Sequence, residues 1–325
     1  MINRYNDKAY KEYEEKVLNE DQRCAVEKIM NSSQNMFLIK GVTGSGKTEI
    51  YMNLVKEMLK QGKDSIILVP EIALTPQMIE RFKGRFGKDI TLFHSRLSDG
   101  EKYDEWVRVK KGEVKIAIGP RSAIFLPFNN LGLIVIDEEH ETSYKSDSDP
   151  KYNAKDIGKI KSELYNCKLV LGTATPSIET YYAAKTGELE LIELLNRADG
   201  AAMPKVEIVD MREELINNNR SIFSKKLFEG IEERLNKKEQ IILFLNRRGF
   251  STFVSCRKCG YVFKCSNCDI ALTYHNRNSF LICHYCGKRE RVLKTCPKCG
   301  SSYVKYFGAG TERIEKEVHK YFPNA

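Results

Sequence analysis

Residues 36–48, MFLIKGVTGSGKT, constrain the fold more tightly than any other stretch. Met36 to Lys40 are mostly apolar and read as a buried strand. Gly41 opens a run that fits G-x-x-x-x-G-K-[ST] and closes on Gly46, Lys47 and Thr48. The next residues, EIYMNLVKEMLK, place Ile50, Leu54, Val55, Met58 and Leu59 on one helical face. Strand, glycine loop and helix together are the setting a phosphate-binding loop needs. In such a loop the backbone from Gly41 through Thr43, Gly44, Ser45 and Gly46 turns its N–H groups around phosphate oxygens. The helix N-terminus adds a positive dipole end. Lys47 is placed to reach the β and γ phosphates, and the Thr48 hydroxyl to hold Mg²⁺. The expectation is a nucleoside-triphosphate site.

Apolar strands and amphipathic helices alternate from there: SIILV, KDITLF (88–93), a helix around GEKYDEWVRVKKG, then VKIAIG (114–119) and LGLIVI (131–136). This is the pattern of a parallel α/β sheet covered on both faces. Ligand groups then gather at the carboxyl ends of the strands. LGLIVI ends in Asp137, Glu138, Glu139 and His140. A carboxylate there can hold Mg²⁺, and the next can polarise an attacking water. Asp137 and Glu138 are the candidates for those roles. KLVLGTATPS (168–177) is a further strand whose tail hydroxyls, Thr173 and Thr175, can hydrogen-bond the acidic run. Before the glycine loop, Asn19 is a candidate helix cap. Gln22 fits either a surface position or an adenine contact, since an amide both donates and accepts.

No apolar run approaches the ~18 to 20 residues of a membrane span, and the charged N-terminus, MINRYNDKAYKEYEEKV, lacks a signal-peptide core. A soluble, cytoplasmic chain without membrane contact is expected. Its net charge of +9 is unevenly placed: residues 241–300 hold eleven Lys/Arg and two Asp/Glu, and the remainder holds 42 of each. The same segment carries eight of the ten cysteines, as Cys256/Cys259, Cys265/Cys268, Cys283/Cys286 and Cys296/Cys299. Two residues between thiolates suit one tetrahedral ion, and eight thiolates make two closed Cys₄ sites, so two structural Zn²⁺ ions are expected. Ribbon spacing pairs the second CxxC with the third, leaving the first with the fourth. Gly260, Gly287 and Gly300 follow three of the pairs, where a left-handed backbone eases N–H donation to sulfur. Cys24 and Cys167 read as core residues. Basic residues interleaved with Tyr261, Phe263, Tyr274, Phe280 and Tyr285 suit single-stranded nucleic acid, and equally the core of a small module or a protein-docking surface.

The ends and joints are less informative. Residues 5–17 read as a polar helix with little to bury. Residues 196–224 shift to a polar, Asn-rich composition, with VEIVD a candidate strand. LFEGIEERL is a helix and QIILFLNRRGF a buried strand with Arg247 and Arg248 at its tail.

Taken together, GVTGSGKTEIY, VPEIALTPQ, GPRSAIF, DEEHETSYK, GTATPS, LNRRGF, the four CxxC pairs and GAGTER resemble, in order, the primosomal protein N′ (PriA) family of superfamily 2 helicases. The resemblance runs from about Leu18 to the last residue. It implies a RecA-like first lobe over 18–200 after a polar helix at 1–17, and a linker and second-lobe start over 201–250. A zinc module at 251–304 and a closing segment at 305–325 of an incomplete second lobe follow. It implies ATP-driven movement on forked or single-stranded DNA, with primosome and single-strand-binding proteins as partners. Gln22 becomes an adenine contact, and His140, Thr173 and Thr175 become links between nucleotide state and DNA grip. VPEIALTPQ and GPRSAIF become DNA-facing loops. Arg121 becomes a DNA-backbone contact, and Tyr144 and Tyr152 become DNA-binding residues standing in for the family's aromatic-rich loop that couples DNA binding to hydrolysis. The family's Q-x-x-G-R-x-G-R motif does not follow GTER here, so the expectation is a fragment that cannot unwind DNA alone. An RNA motor, or an ATP-gated binding module without motor activity, are the alternative readings.

Overall fold

The computed structural model describes residues 12–70, 76–93, 97–146, 149–245, 252–275, 280–283, 285–291, 293–307 and 311–323. The core of VPEIALTPQ (71–75), Arg247, Arg248, Gly308–Gly310 of GAGTER and residues 5–11 of the expected first helix lie outside these. Contacts divide the chain into two units, Met1–Pro204 and Lys205–Ala325.

The first unit is built on seven parallel strands: β1 (Met36–Gly41), β2 (Asp64–Leu68), β3 (Ile90–Leu92), β4 (Ile116–Gly119), β5 (Leu131–Asp137), β6 (Lys168–Thr173) and β7 (Glu190–Leu194), in the order β3-β4-β2-β5-β6-β1-β7. Among the described residues six helices cover them: α1 (Glu20–Asn31), α2 (Lys47–Lys60), α3 (Pro76–Phe86), α4 (Asp99–Lys110), α5 (Ala154–Tyr165) and α6 (Ile178–Lys185). Alternate strand residues point to opposite faces. Phe37 and Ile39 of β1 therefore pack with Ala25, Ile29, Ile50, Leu54 and Phe82 from α1, α2 and α3. Leu38, between them, faces the layer of Val109, Ala154 and Ala183 from α4, α5 and α6. Both faces are covered, so β5 is apolar without interruption until Asp137. β7, an edge strand beyond β1, has no counterpart in the sequence reading.

Residues 12–17 are not helical, contrary to the expectation. Tyr13 spends its backbone N–H on the Gly84 carbonyl (3.2 Å) and its hydroxyl on Glu49 (3.3 Å), with Arg85 against its ring. The segment stays non-helical because it gains tertiary partners that an isolated polar helix would lack.

The second unit holds α7 (Met211–Ile216), α8 (Lys225–Asn236), α9 (Thr311–Tyr321) and one five-stranded sheet. That sheet is β8 (Thr252–Cys256), β9 (Thr273–His275), β10 (Phe280–Ile282), β11 (Arg289–Arg291) and β12 (Val304–Phe307), ordered β11-β10-β9-β8-β12 and antiparallel throughout. The expected RecA-like strands are absent among the described residues. VEIVD is coil with Ile208 95% exposed, and residues 241–245 are coil with Phe244 86% exposed. A parallel strand forms only where neighbours take its N–H and C=O groups. Neither segment pairs with a described strand. β12 pairs with β8 from Val304 onward, so the zinc-bearing sheet extends past the boundary expected at 304.

Candidate functional site

The glycine loop leaves β1 and enters α2 through Gly46, whose φ of 80° is the left-handed region glycine tolerates. A Cβ there would lie 2.2 Å from Gln22 Nε2, so a side chain at residue 46 would displace the Gln22 amide from the loop. Gln22 is buried and pins the loop: Nε2 donates to the Ser45 carbonyl (2.9 Å) while Oε1 accepts from Asn19 N (3.0 Å). Asn19 caps α1 reciprocally through Oδ1. Each end of the Gln22 amide keeps one more hydrogen-bonding capacity, a second N–H and a second lone pair. From the other side Ala198 N donates to the Gly44 carbonyl (2.8 Å), and Arg197 lies against Gly44. Lys47 Nζ donates to the Gly41 carbonyl (2.9 Å), and Ser45 Oγ is buried without a hydrogen-bond partner. A lysine resting on its own loop and an orphaned buried hydroxyl are what a phosphate would be expected to engage, so these residues fit the triphosphate.

Asp137 ends β5, two strands from β1 in the same parallel sheet, so both sites open at one edge. Burial and the neighbouring Glu138 push the Asp137 carboxyl up to about 6, while the Tyr51 hydroxyl and the Lys47 charge pull it the other way. Glu138 sits at φ 47°, a left-handed conformation uncommon for a branchless acidic residue and worth of order 1 kcal/mol or more of strain. Two adjacent carboxylates, both half-buried, with the Thr48 hydroxyl in the first turn of α2 are the hard oxygen donors Mg²⁺ takes. The residues expected to couple nucleotide state to DNA grip also meet. Thr173 Oγ1 lies 2.7 Å from His140 Nδ1, accepts from Thr175 N (3.1 Å) and reaches Glu138 at 3.5 Å.

Two residues of this neighbourhood escaped the sequence reading. Glu139 is fully buried, paired with Lys155 Nζ (2.8 Å) and accepting from Ser177 N (2.7 Å), Ser177 Oγ (3.1 Å) and Thr180 Oγ1 (2.8 Å). It ties the tail of β5 to α5 and the start of α6. Tyr51, on α2, donates from its hydroxyl to Asp137 Oδ1 (2.9 Å). Its spacing after Lys47 was the available signal.

The expected DNA contacts divide. Tyr144 is 1% exposed and donates its hydroxyl to the Asp137 carbonyl (2.5 Å), so it is a core residue and not a surface for base stacking. Arg121 Nη1 holds the carbonyls of Ser143 (3.2 Å) and Lys145 (2.5 Å), which flank Tyr144. Tyr152 packs edge-on to Phe125 (4.9 Å). Arg121, Ser122, Lys102, Phe93 and Tyr152 line a cavity of about 430 Å³.

In the second unit the cysteines assemble as the spacing predicts: Cys256, Cys259, Cys296 and Cys299 in one cluster, and Cys265, Cys268, Cys283 and Cys286 in the other. Sulfur atoms lie 3.6 Å apart across Cys256/Cys299, Cys259/Cys296 and Cys265/Cys286. Tetrahedral Zn–S bonds of about 2.3 Å require roughly 3.8 Å between sulfurs. Four thiolates at that spacing fit one Zn²⁺ each, with no open position. Gly260, Gly287 and Gly300 are left-handed, and Asp269 takes the same conformation in the fourth knuckle at φ 53°. Their N–H groups close onto the carbonyl of the first cysteine rather than onto sulfur. Backbone N–H donation to sulfur comes instead from other residues of the knuckle, and at Cys283 the N–H groups of Cys286 and Tyr285 draw the thiol down to about 7.

Known proteins share these features. The DEAD/DEAH box helicase family matches residues 19–183, and the PriA DNA helicase Cys-rich region (CRR) domain matches residues 265–291. Replication restart protein PriA of Bacillus subtilis (strain 168) is 51% identical over 325 residues, covering 99% of this chain and 40% of that protein. Its namesake from Synechocystis sp. is 47% identical, covering 88% of this chain and 36% of that protein. The chain thus spans about two-fifths of the length of the curated relatives it matches. Among solved structures, DUF1998 helicase MrfA bound to DNA and AMPPNP is 16% identical with a TM-score of 0.47, covering 71% of this chain and 34% of that one, a likeness too slight to carry weight. On its loop, its acidic strand end and its cysteine clusters, this chain belongs to the DEAD/DEAH box helicase family and, over nearly all of its length, is a homologue of replication restart protein PriA.

Proposed function

We propose that this chain is the ATP-hydrolysing part of a DNA helicase that acts in replication restart, on forked or single-stranded DNA. The observation that supports it best is the Tyr51–Asp137 hydrogen bond, which joins the helix leaving the phosphate loop to the acidic strand end. In this reading Gln22 recognises adenine, Lys47 binds the β and γ phosphates, and Thr48 and Asp137 hold Mg²⁺. The ion would neutralise phosphate charge as the terminal phosphoryl group leaves. Glu138 orients and polarises the attacking water. His140, Thr173 and Thr175 pass the state of Glu138 to the strand end. Arg121 and Tyr152, which line the cavity, contact DNA. The two Zn²⁺ sites stiffen a basic module whose partners, by its likeness to PriA, are primosome and single-strand-binding proteins.

The test is ATP turnover by the purified chain with no nucleic acid, with forked DNA and with RNA. Forked DNA should stimulate most. Greater stimulation by RNA would assign a different motor, and DNA binding without any stimulated turnover would assign an ATP-gated binding module.

A further inference from the structure

The Tyr51 side chain does work that no motif assigns. It is fully buried, and its hydroxyl donates to Asp137 Oδ1 at 2.9 Å. Lys47 precedes it by four residues and Thr48 by three, so all three lie on one face of α2, with Tyr51 a turn deeper. The space for its ring end comes from a third element. Gly172 of β6 stands beside Asp137 in the β5–β6 register, and a Cβ at Gly172 would lie 1.7 Å from the Tyr51 hydroxyl. The next residue, Thr173, is the one that touches His140 and Glu138. Gly172 also gives its carbonyl to Glu139 N (3.1 Å). One tyrosine hydroxyl therefore sits where the phosphate-loop helix, the acidic strand and the coupling strand converge.

From this we infer that Tyr51 is a positioning residue for the metal-bound nucleotide. It fixes the Asp137 carboxylate in register with Thr48, so that both oxygens are in place before Mg²⁺ arrives. The inference rests on the proposed nucleotide site and adds to it a residue that touches neither nucleotide nor metal. Outer-shell donors of this kind are worth roughly 10- to 100-fold in metal affinity. Packing alone would not explain the choice of residue, since phenylalanine would fill the same volume without the hydroxyl.

The experiment is the affinity of a fluorescent ATP analogue, measured in EDTA and in millimolar Mg²⁺, for wild type, Tyr51→Phe, Asp137→Asn and the double variant. The gain in affinity on adding Mg²⁺ is the readout. Tyr51→Phe should bind like wild type in EDTA, within about twofold, and lose roughly tenfold of the Mg²⁺ gain. The double variant should match Asp137→Asn. An undiminished Mg²⁺ gain, or equal weakening in both media, would overturn the inference. If wild type itself shows no Mg²⁺ gain, the nucleotide-site reading falls with it. Tyr51→Phe keeps the ring that fills the core, and a circular dichroism melt matched to wild type separates loss of the hydroxyl from loss of the fold.

Discussion

Asp137, the proposed Mg²⁺ ligand, shows how a carboxylate can be held against its own preference. Burial and Glu138 raise its carboxyl to about 6, so the charged form is disfavoured in the folded, metal-free protein. A raised folded value means stability is greatest below the unfolded value near 4 and is lost as pH climbs through 6. A shift of about two units corresponds to ~3 kcal/mol. Metal-free protein should therefore melt at a lower temperature at pH 7.5 than at pH 5 through this residue. Asp137→Asn, which keeps an oxygen acceptor for Tyr51, should remove that part of the difference. Thermal melts of both proteins across pH 4.5–8 check it; identical pH slopes would leave Asp137 without the raised carboxyl described.

Between elements, Glu139 carries the load that DEEH alone does not reveal. It joins β5, α5 and α6 through Lys155, Ser177 and Thr180. Removing one partner of a buried pair leaves the other uncompensated, at a cost of about 3 kcal/mol. Glu139→Ala should lose that much stability by chemical denaturation, while Glu139→Gln, which still accepts from Ser177 N, should lose less. What could be read from the sequence follows the same division. The phosphate loop, Asp137–Glu138 and the cysteine pairs were legible because their chemistry fixes spacing within a few residues. Tyr51 and Glu139 were not, since their partners lie 86 and 16 to 41 residues away and only the sheet order brings them together. Tyr144 was misread for a related reason: an aromatic residue in a loop looks exposed until its hydroxyl is found on the Asp137 carbonyl. VEIVD and 241–245 have strand-like sequences, but strand propensity is realised only beside a neighbour.

At the scale of the molecule, the two units hold themselves together by different means. The first buries continuous apolar layers on both sheet faces. The second has a small cluster around Val254, Phe263, Leu272 and Leu281, with Cys265 and Cys283 inside it. So little apolar core needs metal to fold. Elemental analysis should find about two zinc ions per chain. Cys265→Ser should release one and unfold residues 252–307, as followed by proteolysis, with nucleotide affinity unchanged. One ion or none in folded, reduced wild type would contradict the double site. If the loop after β1 and the acids after β5 form one nucleotide site with separate tasks, the ATP affinities of two variants must diverge. Lys47→Ala should lose most triphosphate affinity, because it meets phosphate in the ground state, whereas Glu138→Gln should retain it while turnover stops. Equal loss of ATP binding in both would contradict the account.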